Sequence, residues 1–156
     1  MLVRRIEDTF ATVFRQTAMN RFEQAIHEAR RNDGELSNER FSELWLVTQR
    51  SMFGDSVTLT ENYGSWWSYI PHFIHTPGYV YAYSFGELLV LALYARYEEV
   101  GSSFADLYLE MLRAGGSDWP HQIMKPLGVD LNDPAFWNYG LHMIEQMVDQ
   151  AEELAP

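Results

Sequence analysis

Apolar residues recur at helical spacing along most of the chain. Over residues 2–30 they fall three and four positions apart, which predicts a long amphipathic helix that ends at Asn32-Asp33-Gly34. A second helix is predicted to begin after Ser37, as its N-cap, and to run to about Met52. No segment alternates apolar and polar residues with the period of a strand, so we expect an all-α fold.

The middle of the chain is predicted to be a loop that leads into a third long helix. Residues 54–78 carry several Gly and Pro residues, with one short helical piece expected near residues 66–69. Thr76 has the features of an N-cap and Pro77 those of a first helical residue. We therefore expect an apolar helix from Pro77 to about Val100.

Three further helices are predicted after Gly101. Ser103 and Asp106 resemble a capping box for a helix that runs to Ala114. Ser117 is expected to open a short helix, and Asp133-Pro134 to cap the last one. Nothing indicates a repeat or a linker, so residues 1–156 are expected to form a single helical unit.

Composition and charge exclude several classes of protein. The 156 residues include no Cys, which excludes disulfides, thiolate ligands and Cys nucleophiles. The net charge of −11 argues against binding of nucleic acid or an anionic membrane surface through a basic face. Charged residues or Gly interrupt every apolar run before it reaches membrane-spanning length. Residues 1–30 do not resemble a secretory signal, so we expect a cytoplasmic protein.

The charge is also distributed unevenly. Residues 1–50 hold eight basic and eight acidic residues, whereas residues 51–156 hold three basic and fourteen acidic residues, so the whole excess lies there (3 − 14 = −11). A solvated acidic surface is the simpler interpretation. The alternative is that the balanced first helix faces other protein.

Metal sites and catalytic motifs are incomplete in this sequence. His27-Glu28-Ala29-Arg30-Arg31 begins like the zincin motif, but the second imidazole, one helical turn later, is replaced by Arg31, which cannot bind a metal. Asp118 and His121 have the spacing of a ligand pair but lie across Pro120. We therefore predict no metal ligands in this chain.

Residues 63–85 form the one segment with unusual chemistry. They contain nine of the 23 aromatic residues and two of the five His residues, His72 and His75. Tyr79 and Tyr83 are predicted to share one helix face, with Tyr81 elsewhere, and Gly86 is predicted to allow another backbone to approach. Such a cluster is often simply core. Phenols and imidazoles near a helix N-terminus also favour binding of a developing negative oxygen.

This segment resembles a known family. Trp67–Gly86, read Trp-Ser-Tyr-Ile-Pro-His-Phe-Ile-His-Thr-Pro-Gly-Tyr-Val-Tyr-Ala-Tyr-Ser-Phe-Gly, is similar to the substrate-binding loop of the oligoendopeptidase F family of zinc oligopeptidases. Phe14–Glu23 resembles that family's Phe-Arg-Gln-Thr helix. Leu112–Asp118 and Leu127–Asp130 resemble its Gly-Gly-Ser and Gly-Val-Asp turns. Four motifs in the family's order extend the resemblance over essentially the whole chain.

The resemblance implies a fold, a cofactor and a substrate. The chain resembles the C-terminal part of a zincin-type catalytic domain, without the His-Glu-x-x-His helix and the later Glu that hold the family's zinc. The complete enzyme is therefore expected to use zinc, and this chain alone to bind none and to be inactive. The implied substrate is an oligopeptide. The missing zinc-binding portion, or a self-associating copy of the chain, is the implied protein partner.

The resemblance also implies roles for five residues. Tyr79 is expected to donate a hydrogen bond to the carbonyl oxygen that becomes an oxyanion, and His72 to assist it or to hold the substrate backbone. Tyr83 and Tyr81 are expected to line the substrate channel. His75 is also expected near the substrate, although family members often carry another residue there.

Two other classes of function remain open on the sequence. The chain can be a non-catalytic helical module that holds a peptide in its aromatic groove, or a subunit that completes a separately encoded zinc half. An unrelated helical bundle would require the four ordered matches to be accidental.

Overall fold

The computed structural model describes residues 1–155, and these residues are almost entirely helical. The prediction of an all-α fold is confirmed, since the described residues contain no strand. Among them, no helix is both long enough and apolar enough to cross a membrane. The helices are α1 (Leu2–Phe10), α2 (Gln16–Asp33), α3 (Asn38–Phe53), α4 (His72–His75), α5 (Tyr81–Val100), α6 (Ser103–Ala114), α7 (Pro120–Met124) and α8 (Pro134–Glu153), with a π-helical segment (Ala11–Arg15) and two 3₁₀ segments (Glu61–Tyr69 and Lys125–Leu127).

Contacts between residues divide the chain into two compact units. Residues 8–85 form one unit, and residues 1–7 together with residues 86–155 form the other. Each unit has its own buried apolar cluster, so each is described separately.

Aromatic packing holds together the unit of residues 8–85. Phe22 of α2 is completely buried, and its ring meets Trp45 of α3 edge-on at 5.2 Å. Phe73 of α4 packs on the same Phe22 ring at 5.1 Å. Large rings bury much apolar area each and favour tilted contacts of this kind. The buried members of the cluster are Met19, Phe22, Trp45, Ile70 and Val80.

The other unit is built around α5, α6 and α8. Its cluster joins Ala92 and Leu93 of α5 to Phe104 of α6 and Phe136 of α8, together with Met124, Leu127 and Val129 from the chain between α6 and α8. Helices α5 and α8 approach closely at Gly140, where an added Cβ would lie 2.7 Å from the backbone oxygen of Leu88. A residue without a side chain is therefore required at this crossing.

Local signals located most helix ends correctly. Gly34 follows α2 with φ +88°, and Gly101 follows α5 with φ +84°, a conformation in which Gly carries no steric cost. The Ser37 side chain accepts a hydrogen bond from the Arg40 amide, as an N-cap does. The Asp133 side chain likewise accepts from the Ala135 amide at 2.9 Å.

The predicted start of the third long helix was wrong. Helix α5 begins at Tyr81, whereas Thr76 ends the short helix α4, which the sequence did not predict. Gly78 has φ +76°, and this left-handed residue cannot lie inside a helix that begins at Pro77. The segment between α4 and α5 is therefore a turn.

Three smaller predictions were also wrong. The Ser103 side chain does not cap α6, because Ser102 before it already has helical dihedrals and an N-cap is normally extended. The helix expected from Ser117 begins at Pro120. A Cβ at Gly86 would meet no heavy atom within 4 Å, so the glycine that permits close approach is Gly140.

Candidate functional site

Two buried residues anchor the short stretch of chain that carries His72, His75 and Tyr79, and Tyr81 and Tyr83 follow directly after it. Ile70 precedes α4 and is 4% exposed, and Val80 precedes α5 and is completely buried. Both belong to the aromatic core of their unit. Their burial fixes the two ends of the intervening segment, which consists of α4 and the turn after it and leaves Tyr79 at the surface.

Three of the predicted residues come together in a compact cluster, called here the His72–Tyr79–Tyr83 cluster. His72 Nε2 and the Tyr83 hydroxyl share a hydrogen bond at 3.1 Å. The Tyr79 ring lies edge-on to the Tyr83 ring at 5.2 Å and parallel to the His72 ring at 6.3 Å. The predicted pairing of Tyr79 with Tyr83 therefore holds in space, although Tyr79 precedes the helix.

The phenol of Tyr79 remains accessible within this cluster. Its side chain is 49% exposed, and its hydroxyl has no hydrogen-bond partner among residues 1–155. The Tyr83 side chain, at 37%, is the less exposed of the two and is engaged by His72. A phenol with a free donor, oriented by neighbouring rings, can donate to an external acceptor without adding charge.

The other two predicted residues are not joined to the cluster. Tyr81, the first residue of α5, is 54% exposed, and His75 at the end of α4 is exposed as well. Within the described chain, neither side chain shares a ring contact or a hydrogen bond with the three cluster residues. Both remain candidates only as surface groups near the cluster.

A buried carboxylate beneath the turn was missed by the sequence analysis. Glu23 of α2 is only 3% exposed, and its Oε1 accepts a hydrogen bond from the backbone amide of Gly78 at 2.6 Å. The signal was present in the sequence, because Glu23 lies four residues after buried Met19 and next to buried Phe22. An acid on the apolar face of a helix indicates a specific partner.

A second buried polar residue follows Tyr83. Ser84 is 7% exposed, and its hydroxyl donates to the backbone oxygen of Val13 at 2.9 Å. Val13 lies in the π-helical segment, and the Thr17 hydroxyl donates to the same oxygen at 2.7 Å. Such segments disturb the regular ladder of backbone hydrogen bonds and are common at functional sites. The first turn of α5 is thereby tied to this segment.

Two tyrosines of the 3₁₀ segment link it to neighbouring helices. Arg15 Nη2 donates to the Tyr69 hydroxyl at 3.0 Å, and the Tyr63 hydroxyl donates to Gln49 Oε1 at 3.1 Å. Burial raises the pKa of the Tyr63 phenol, and the nearby Tyr69 raises it further. These contacts join the 3₁₀ segment to the π-helical segment and to α3, just before α4 begins.

The described residues offer no metal centre. In residues 1–155, no group of three or more His, Asp or Glu side chains lies close enough together to hold a metal ion. His27, the first residue of the incomplete zincin motif, lies instead 3.8 Å from the Glu23 carboxylate. The side-chain donors of residues 1–155 do not form a set that fits a zinc ion.

Comparisons with known proteins agree with the sequence motifs. Oligopeptidase PepF of Bacillus subtilis is 33% identical over 96% of this chain, and an oligoendopeptidase F homolog of Borreliella burgdorferi is 32% identical over 83%. The crystal structure of oligoendopeptidase-F from Enterococcus faecium superimposes with a TM-score of 0.88 at 31% identity and 98% coverage of this chain. The predicted resemblance to oligoendopeptidase F is confirmed.

These relatives are much longer than this chain. The chain spans 22% of the length of each of the two curated relatives and 29% of the Enterococcus faecium structure. It therefore corresponds to one part of a larger helical enzyme fold. The sequence profile of peptidase family M3 matches residues 1–143, and the chain belongs to that family.

Proposed function

We propose that this chain is the C-terminal portion of the catalytic domain of a zinc oligopeptidase and forms the wall that closes over the peptide. It binds the oligopeptide and stabilises the transition state of peptide-bond hydrolysis through Tyr79 and His72. Membership of peptidase family M3 supports the substrate class. The accessible Tyr79 phenol within the His72–Tyr79–Tyr83 cluster is the observation that carries the assignment.

The role of Tyr79 follows from the chemistry of the reaction. Attack on a peptide carbonyl moves negative charge onto its oxygen, and a donor already in position stabilises that charge without reorganising. The Tyr79 hydroxyl has no competing partner among the described residues and lies just before the N-terminus of α5, a 20-residue helix. The positive end of the helix dipole favours the same charge.

The other site residues have supporting roles in this proposal. The hydrogen bond between His72 and Tyr83 and the contacts of both rings with Tyr79 limit the orientations that the Tyr79 ring can adopt. With one imidazole nitrogen engaged by Tyr83, the other nitrogen of His72 can contact the substrate backbone. Tyr81 and His75 are exposed beside the cluster and bind more distant parts of the peptide.

The zinc implied by the family is held outside this chain in the proposal. In this proposal the zinc-binding portion implied by the family is the protein partner of this chain; among residues 1–155, no group of three or more side chains forms a metal site. The contribution of residues 1–155 is thus to bind the peptide, orient its carbonyl group and donate a hydrogen bond to the oxygen.

The test compares Tyr79→Phe with Tyr97→Phe in the peptidase assembled from this chain and its zinc-binding portion. Hydrolysis of an internally quenched peptide gives kcat and KM. Loss of one oxyanion donor should lower kcat about 100- to 1,000-fold with little change in KM. Tyr97 is an exposed tyrosine later in α5, so its variant should keep normal kcat.

The same experiment discriminates between enzyme and binding module. A Tyr79→Phe variant that retains near-normal kcat would refute the role of Tyr79 in catalysis. A chain that binds peptide tightly but shows no hydrolysis when the zinc-binding portion is supplied would instead identify a non-catalytic peptide-binding module.

A further inference from the structure

We propose that Glu23 is a positioning residue, which holds the turn that carries Tyr79 and so sets the direction of its phenol. This inference rests on the proposed function of Tyr79. Glu23 lies on α2, 55 positions before Gly78, and it does not belong to the His72–Tyr79–Tyr83 cluster itself. Its influence on the reaction is therefore indirect.

The burial of Glu23 needs a compensating interaction. The Glu23 side chain is only 4% exposed, and a carboxylate buried to this extent loses roughly several kcal/mol of hydration unless strong hydrogen bonds replace the water. Glu23 Oε1 has one short bond of this kind, to the Gly78 amide at 2.6 Å, and His27 Nε2 lies 3.8 Å from the same oxygen. Glu23 Oε2 is buried and has no hydrogen-bond partner among the described residues. An apolar side chain would fill this position at lower cost, so the bond to Gly78 is the specific contribution of the acid.

The Gly78 amide is a sensitive point at which to hold this turn. Gly78 has φ +76° and immediately precedes Tyr79, so a small rotation about its backbone moves the Tyr79 ring. The bond from the Gly78 amide to Glu23 Oε1 is short, at 2.6 Å, and it restricts that rotation. Val80, completely buried, fixes the chain on the other side of Tyr79. The backbone is thus fixed on both sides of Tyr79, by the hydrogen bond of the Gly78 amide to Glu23 and by the buried side chain of Val80.

Three substitutions separate this role from a general structural one. Glu23→Leu removes the acceptor, Glu23→Asp keeps the charge but withdraws it by one methylene, and Glu23→Gln keeps an acceptor oxygen at the same reach. Misplacement of a catalytic group by about 1 Å can cost on the order of 100-fold in rate. We expect the Leu and Asp variants to lose about 10- to 100-fold in kcat with KM nearly unchanged, and the Gln variant to stay within about threefold. Glu28→Leu on the exposed face of α2 is the matched control and should have normal kcat.

A double-mutant cycle with Tyr79→Phe tests whether Glu23 acts through Tyr79. When the phenol is absent, Glu23→Leu and Glu23→Asp should cost no more than about threefold in addition. Equal losses in the presence and absence of the phenol would overturn the proposal. So would full kcat in both the Leu and the Asp variants while Tyr79→Phe is slow.

NMR of the Gly78 amide detects its hydrogen bond to Glu23 independently of enzymatic activity. In the assembled protein with ¹⁵N-glycine, the Gly78 amide should lose its downfield shift and exchange with solvent on the order of tenfold faster in the Asp variant, but not in the Gln variant. If the Gly78 amide changes in Glu23→Asp while Tyr79→Phe retains normal kcat, the hydrogen bond between Gly78 and Glu23 exists but the proposed function of Tyr79 is wrong. An amide unaffected by Glu23→Asp would overturn the positioning role directly. This measurement remains decisive if Glu23→Leu fails to fold, because the Asp variant conserves charge.

Discussion

Replacing glycine by alanine should destabilise the protein at Gly140, where α5 and α8 approach closely, and stabilise it at Gly86, where the space is open. Gly140→Ala would place a methyl group 2.7 Å from the Leu88 carbonyl oxygen and 3.5 Å from the Ala92 amide nitrogen. The nearest obstructing atom is a backbone oxygen of α5, which cannot move aside as the end of a flexible side chain can. The two helices must separate by several tenths of an ångström around a buried position.

The expected magnitude follows from two opposing contributions. Overpacking a close helix contact costs about 1–3 kcal/mol, and replacing Gly by Ala inside a helix returns about 1 kcal/mol. Because the contact at Gly140 is with rigid backbone, we place the cost at the upper part of that range and expect a net loss of about 1–2 kcal/mol in the free energy of unfolding. Gly86→Ala lies inside α5 with open space around it, so only the favourable contribution remains, about 0.5–1 kcal/mol.

Urea denaturation followed by circular dichroism measures both changes. The midpoint of Gly140→Ala should fall and that of Gly86→Ala should rise, with an unchanged dependence on urea concentration. A Gly140→Ala protein as stable as the wild type, or shifts of the same sign for both variants, would refute the close approach described for α5 and α8.

Three further predictions concern hydrogen bonds and burial. Ser84→Ala removes the donor to the Val13 oxygen and should cost about 1–2 kcal/mol in urea denaturation; an unchanged midpoint would contradict this tie. Asp133→Ala removes the cap of α8 and should cost about 1 kcal/mol by the same measurement, whereas a loss below about 0.3 kcal/mol would argue against capping. Burial raises the folded-state pKa of Tyr63, so its contribution to stability is complete below about pH 10 and is lost as the pH rises through that raised pKa. Tyr63→Phe should therefore lose less stability than the wild type between about pH 9 and pH 11 in thermal unfolding, and identical pH profiles would contradict the assignment.

Local chemistry explains why much of the fold could be predicted from the sequence. Gly34 and Gly101 end helices through their own backbone freedom, and the Ser37 and Asp133 side chains reach amides within three residues. Signals of this kind depend on nearby residues alone and are therefore legible in a single sequence.

The predictions that failed depend on contacts between distant parts of the chain. The N-terminus of α5 is set by a turn whose amide is bound by Glu23, 55 positions earlier, so the Pro77 signal was overridden. Gly86 and Gly140 look alike in sequence, and only the packing of α8 on α5 distinguishes them. The rings of Tyr79 and Tyr83 meet although Tyr79 lies outside α5, because a turn closed by the bond from the Ala82 amide to the Tyr79 oxygen at 2.9 Å leads directly into the helix.

The π-helical segment has a consequence for the tolerance of this protein to insertions and deletions. A π-helical segment carries one more residue than the α-helical turn that it replaces, so Ala11–Arg15 behaves as a built-in single-residue insertion in an otherwise continuous helix. Removing one residue from α2, which follows this segment, would rotate every later side chain by about 100° and turn its apolar face away from the core. Removing one residue within Ala11–Arg15 would let the helix absorb the change by reverting to α-helical pairing. Length variation among close relatives is therefore expected to be concentrated at this point of the helix.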